Sequence, residues 1–166
     1  LIYLLDANTL ITAKNSYYPI NRIPEYWDWL VHCGQNGVVK IVNEIYDELR
    51  DGGADELSLW ADEEHVRDAL LFDESVDQGL VAQVVYQGYL PNPTENDMVR
   101  MGQDPFLISY ALKDPENRCI VTSEASKPSR QGANRHIPDV CNALGLQCID
   151  GHQLIRDLDF STSWKV

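Results

Sequence analysis

The chain has 166 residues, 44% of them hydrophobic, and carries 26 acids against 13 basic residues for a formal net charge of −13. That length and apolar content suit one domain with a sizeable core and exclude a disordered chain. The acidic balance argues against broad, non-specific binding to nucleic acid or anionic membrane, while leaving room for a phosphate substrate where cations offset the charge locally.

The first element expected is a strand over residues 1–5, a short continuous apolar run that ends at Asp6. Such runs fit strands buried on both faces, as in a parallel sheet. A short helix follows over 8–14, with Asn8 or Thr9 available to cap it. Pro24 opens a second helix at the N1 position that proline favours, and Gly34 to Gly37 stops it. Residues 38–42 read as the second strand. Asn43 can cap the helix over 44–50, which places Glu44 in its first turn.

Residues 44–77 hold 13 acids and only two basic residues, Arg50 and Arg67. Most of these acids are expected on solvated helix faces. Helices are expected over 55–64 and 74–87, and residues 70–72 between them read either as a short strand or as a buried connection. Thr94 caps a helix reaching Met101. A further amphipathic helix begins near Asp104, where the following Pro105 makes an N-cap the ordinary reading of the acid. Residues 119–122 form the third strand. A polar loop leads to a helix over 138–144, then a short strand over 147–149 and a last helix over 151–158. The order of strands and helices predicts a single α/β domain over 1–158 with a mainly parallel central sheet, followed by an irregular tail over 159–166.

Asp6, Glu44, Asp104 and Glu124 each follow a strand or open a helix. In a parallel sheet the strands share one carboxyl edge, where ligands gather, so these acids can converge. Carboxylates packed together repel and call for a cation, and oxygen donors of this kind select Mg²⁺ or Mn²⁺. Such an ion lowers the pKa of water and polarises a phosphoryl oxygen.

The string from Tyr3 through Asp6, Asn8 and Thr9 to Ile11 resembles the opening motif of the PIN-domain nucleases. Segments around Glu44 to Leu49, Asp104 to Ala111 and Val121 to Glu124 follow in the family's order. The resemblance implies a PIN-like fold and a metal-dependent endoribonuclease, with VapC-like toxins of prokaryotic toxin–antitoxin pairs as the largest group of small members. It assigns Asp6, Glu44 and Asp104 to the metal, with Glu124 where many members have Asp. Asn8 and Thr122 match residues that support the site, and Asp139 is a less secure addition to them. Asp104 or Glu124 would assist as base. A catalytically silent PIN-like module that binds RNA or protein is the alternative. A phosphatase of the type that wants a second Asp two residues after the first is disfavoured, because that place holds Asn8.

Between residues 118 and 136 the charge balance reverses. Arg118, Lys127, Arg130 and Arg135 oppose only Glu124, and Lys127, Arg130 and Arg135 are candidate contacts to an RNA backbone. His136 and His152 read as ordinary surface residues. The aromatic run of Tyr17, Tyr18, Tyr26, Trp27 and Trp29 reads as core, or as a patch for an antitoxin or for a second protomer in a homodimer. Cys33, Cys119, Cys141 and Cys148 lack metal or disulfide spacing and read as buried reduced thiols. That fits a cytoplasmic protein. No basic segment precedes an apolar stretch at the N-terminus, and no stretch approaches the roughly 20 apolar residues of a membrane span.

Overall fold

The computed structural model describes residues 1–166. Four parallel strands form its sheet in the order β2–β1–β3–β4: β1 (Ile2–Leu5), β2 (Val39–Lys40), β3 (Arg118–Val121) and β4 (Gln147–Ile149). β1 lies at the centre, with Tyr3 paired to Val39 on one side and to Cys119 on the other. Leu4, Leu5, Ile120 and Val121 are fully buried. Their uninterrupted apolar sequence is explained by the layers of helix that cover both faces. The architecture is the α/β one that the sequence predicts.

Ten α-helices surround the sheet. α1 (Ala7–Thr12) leaves β1 and continues into a wider π turn over Ala13–Tyr17. α2 (Pro24–Gln35) has its proline in the first turn, where the missing N–H costs nothing. Its buried Tyr26, Trp27 and Trp29 pack with Trp60 and Phe160, so this aromatic run is core. Tyr18 joins it, stacked on Tyr26 with ring centroids 4.3 Å apart.

α3 (Asn43–Arg50) begins one residue earlier than expected and carries no side-chain cap. The single helix expected over 55–64 is replaced by α4 (Glu56–Asp62) and α5 (Glu64–Leu70), broken where Glu63 turns extended. The 70–72 segment is a partly buried connection with one parallel bridge, from Leu71 to Ile41. β2 is correspondingly shorter than the expected 38–42 strand. α6 (Gln78–Val84) starts later than expected, capped by Asp77, and runs into a second π turn over Val85–Tyr89. α7 (Glu95–Met101) carries a capping box from Thr94 and Asp97. The remaining helices are α8 (Asp104–Lys113), α9 (Ile137–Leu144) and α10 (Gly151–Asp157).

The tail is irregular but docked. Phe160 enters the α2 aromatic cluster, and Trp164 Nε1 donates to the Glu25 carbonyl at 2.9 Å. No helix is long and apolar enough to cross a membrane.

Candidate active site

The carboxyl ends of β1 and β3 are joined by side chains. Asp6 follows β1 and is only 4% exposed. Its Oδ2 accepts a hydrogen bond of 2.9 Å from Thr122 Oγ1, just past β3. Asn8 does not cap α1. Its Oδ1 reaches across instead and accepts from the Ser123 backbone N–H at 2.9 Å and from Ser123 Oγ at 3.0 Å. Thr9 Oγ1 donates to the Val121 carbonyl at 3.0 Å, again between the two strand ends. Each polar side chain in this β1–α1 turn is thus committed to holding the 121–123 segment, which fixes the direction of the Asp6 carboxyl.

Asp104 occupies the first turn of α8, but the cap position belongs to Gln103 and Asp104 makes no capping bond. The ordinary reading of this acid is therefore wrong, and its carboxyl is left for something else. Burial pushes that carboxyl up to about 8, reinforced by the charges of Asp6, Glu124 and Glu48. Burial likewise pushes Asp6 up to about 7; the Thr122 hydrogen bond opposes this, and the charges of Glu124 and Glu48 add to it. The charges of Glu48 and Glu124 are felt at both the buried Asp6 and the half-buried Asp104, so these four carboxyls, from four segments of the chain, are electrostatically coupled.

Glu44 is not among them. Its carboxylate accepts from the Tyr110 hydroxyl at 3.0 Å and faces a different hollow, beside Phe72, Asp73 and Glu74. The correction has a simple geometric cause. Tyr110 lies six residues beyond Asp104 on α8, roughly 9 Å along the axis at 1.5 Å per residue. α3 packs against α8, and its first turn meets the far end of that helix. One turn further along α3, the exposed Glu48 is the residue whose charge is felt at Asp6 and Asp104. Its carboxyl is also pushed up by partial desolvation. The sequence signal for Glu48 was available, since positions 44 and 48 lie nearly above one another on a helix.

Glu124 spans two environments. Its Oε2 accepts from the Ile137 N–H at 2.8 Å, at the start of α9, while the residue lines a cleft of about 230 Å³ with Asp104. Asp139 is buried and fully used, accepting from Ser126 Oγ at 2.5 Å and from the Lys127 N–H at 2.8 Å. Burial alone would raise its pKa, but those bonds hold the carboxyl below its ordinary value. Asp139 therefore pins the 122–127 loop and stands outside the acid group.

The basic residues separate in the same way. Arg130 is exposed on the rim of the Asp104–Glu124 cleft, joined there by Arg100, which the sequence reading passed over. Arg135 also lines the cleft, but its guanidinium is tied to the carbonyls of Gly88 and Asp139. Lys127 is exposed on the adjoining loop. Arg118 is removed from the basic group altogether. It is buried, paired to Glu74 through both guanidinium nitrogens at 2.8 and 2.9 Å, and covered by Phe72.

Tyr89 is a second residue that sequence reasoning missed. It ends the second π turn, is buried, and its hydroxyl has no hydrogen-bond partner. Burial and the charges of Asp104, Glu124 and Asp6 all disfavour its ionisation, so the phenol is a protonated donor beside the acids. A buried hydroxyl without a partner costs about 1–3 kcal/mol, and such a cost in a native fold calls for an explanation in the site it faces.

The donor chemistry suits a hard divalent cation: carboxylate oxygens, two of them deeply desolvated, and an orphaned phenol beside them. The spacing is looser. No three of the His, Cys, Asp or Glu side chains stand close enough together to form a ready-made metal site.

The fold and this edge define an all-parallel α/β domain with a carboxylate group where β1 and β3 end. Residues 3–162 match the family described as Domain of unknown function (DUF4411), and the chain belongs to that family. No curated protein and no solved structure matches it.

Proposed function

We propose that this chain is a PIN-type, Mg²⁺- or Mn²⁺-dependent endoribonuclease, acting in the cytoplasm as the toxin of a toxin–antitoxin pair. The observation that carries the reading is the cleft that Asp104 and Glu124 line together with Arg100 and Arg130, with Asp6 and Glu48 coupled to Asp104 by charge. Asp104 and Glu124 with guanidinium groups in one cleft suit a phosphodiester, whose charge the arginines hold while the acids manage the reacting oxygen.

Asp6, Glu48 and Asp104, with the free oxygen of Glu124, would hold the cation. When bound, it supplies Lewis-acid polarisation of the phosphoryl oxygen and acidification of the attacking water. The chain's own residues account for the rest. Thr122 and Asn8 keep Asp6 oriented. Asp104, whose carboxyl accepts no hydrogen bond in the protein, can take the proton from the attacking water. Arg130 and Arg100 position the backbone of a single strand in the cleft.

A catalytically silent module that binds RNA or protein is the second reading, favoured by the lack of three acids at ligating spacing. Titration calorimetry with Mn²⁺ separates the two. The nuclease reading expects saturable binding that is lost in Asp6→Asn and Asp104→Asn. Absence of binding at millimolar Mn²⁺ would favour the silent module.

A further inference from the structure

A second depression adjoins the acid group through consecutive residues. Glu124 lines the acid cleft, and Ser123 lines a separate cavity of about 180 Å³. That cavity is closed by the first π turn on one side and by the start of α10 on the other. It is smaller than the roughly 300–1,000 Å³ of a drug-sized ligand pocket, and suits a single planar ring. Tyr17 and His152 form its outer wall, packed edge to face with centroids 4.8 Å apart and planes at 80°. Tyr17 is 50% exposed although it is a large aromatic residue. Behind it Tyr18 is held rigid by its stack on Tyr26.

The polar groups are few and placed. Ser123 Oγ and Thr12 Oγ1 lie 3.1 Å apart at the cavity's side. Asp150 caps α10 by accepting from the Gln153 N–H with Oδ1 alone, which leaves Oδ2 for a donor in the cavity. An aromatic wall, two hydroxyls and one acceptor-only carboxylate describe a receptor for a flat heterocycle that carries an amine. Splayed bases of single-stranded RNA are recognised in this way, by stacking on Tyr or His and by hydrogen bonds to their edges.

We propose that this cavity binds one unpaired nucleobase with an exocyclic amine, next to the phosphate held in the acid cleft. The proposal rests on the ribonuclease reading and adds its substrate form: single-stranded RNA with one base turned out of the strand. Ser123 joins the two halves, since its Oγ also donates to Asn8, which helps position the β1 end.

The test uses the Asp104→Asn variant of the 166-residue chain, which leaves the cavity lining unchanged and is expected not to cleave. Its binding to a short fluorescent single-stranded RNA is followed by anisotropy, with an abasic position scanned along the strand. Tyr17→Ala and His152→Ala should each weaken binding by roughly 5- to 150-fold, the range for loss of one stacked base. One abasic position should reproduce that loss, and should cost nothing further in Tyr17→Ala. Tyr17→Phe should retain affinity. Asp150→Asn, which still caps α10, should lower the preference for adenine or cytosine over uracil at that position. RNA binding that none of these changes alters would overturn the base pocket and leave the nuclease reading standing. No RNA binding at all would overturn both.

Discussion

Thr122 Oγ1 lies 2.9 Å from Asp6 Oδ2, a contact between residues 116 apart in sequence that ties the end of the central strand to the end of its neighbour. The hydroxyl supplies the one side-chain hydrogen bond that stabilises the ionised Asp6 carboxyl, and it is buried with its acceptor. Thr122→Val keeps the shape and removes the donor. The expected result is a loss of about 1–3 kcal/mol in unfolding free energy. Mn²⁺ affinity should fall about 10- to 100-fold, as when residues that orient metal ligands are removed. Denaturant melts and metal titration of the same variant read the two effects separately.

Glu44 and Glu48 make opposite predictions although one helical turn separates them. Glu48→Gln should abolish Mn²⁺-dependent RNA cleavage. Glu44→Gln should leave cleavage within about threefold of wild type and cost on the order of 1 kcal/mol through its bond to Tyr110. Parallel cleavage assays and melts decide between them. Activity that depends on Glu44 and ignores Glu48 would mean that the acids assemble differently from the arrangement described above.

Tyr89→Phe deletes a hydroxyl that has no partner in the folded chain. Removing such a group leaves stability unchanged or raises it by up to about 1 kcal/mol. The same variant should leave cleavage unchanged, because the hydroxyl is closed off from solvent and from the cleft. A parallel fall in stability and activity would assign the hydroxyl an ordinary structural bond.

The acid group also sets a pH dependence. Asp6 and Asp104 rise from the ordinary 3.8 to about 7 and about 8 in the folded chain. Between those limits the folded state binds more protons than the unfolded one, so stability falls as pH rises. The penalty is absent below about pH 4 and complete above about pH 8. Glu74 and Asp139 act in the opposite sense, since their pKa values are lowered and their contribution is lost in acid. The metal-free chain should therefore melt highest in mildly acidic buffer and lose stability towards pH 8. Mn²⁺ should raise the melting temperature more at pH 8 than at pH 5. An equal Mn²⁺ effect at both values would contradict the cation's role at these carboxyls.

Much of this arrangement was legible before the structure. The apolar run into Asp6, the Pro24 helix start, the Thr94 cap and the alternation of strands and helices rest on local signals, and local signals carry the parallel α/β class. What the sequence hid is non-local. Asp104 reads as a cap because Pro105 follows it, and only the placement of Gln103 at that position frees the carboxyl. Glu44 and Glu48 are equivalent by spacing, and the α3–α8 packing alone separates them. Arg118 belongs to a basic stretch in sequence, but its neighbour in space is Glu74. Tyr89 carries no sequence signal, because an orphaned hydroxyl is a property of its surroundings.

The central claim is tested most directly by cleavage of a labelled single-stranded RNA by the purified chain in Mn²⁺, in chelator, and with Asp104→Asn. The acid group at the carboxyl edge predicts cleavage in Mn²⁺, none in chelator, and a fall of more than about a hundredfold in the variant. Cleavage that survives chelation, or that Asp104→Asn leaves at the wild-type rate, would contradict it.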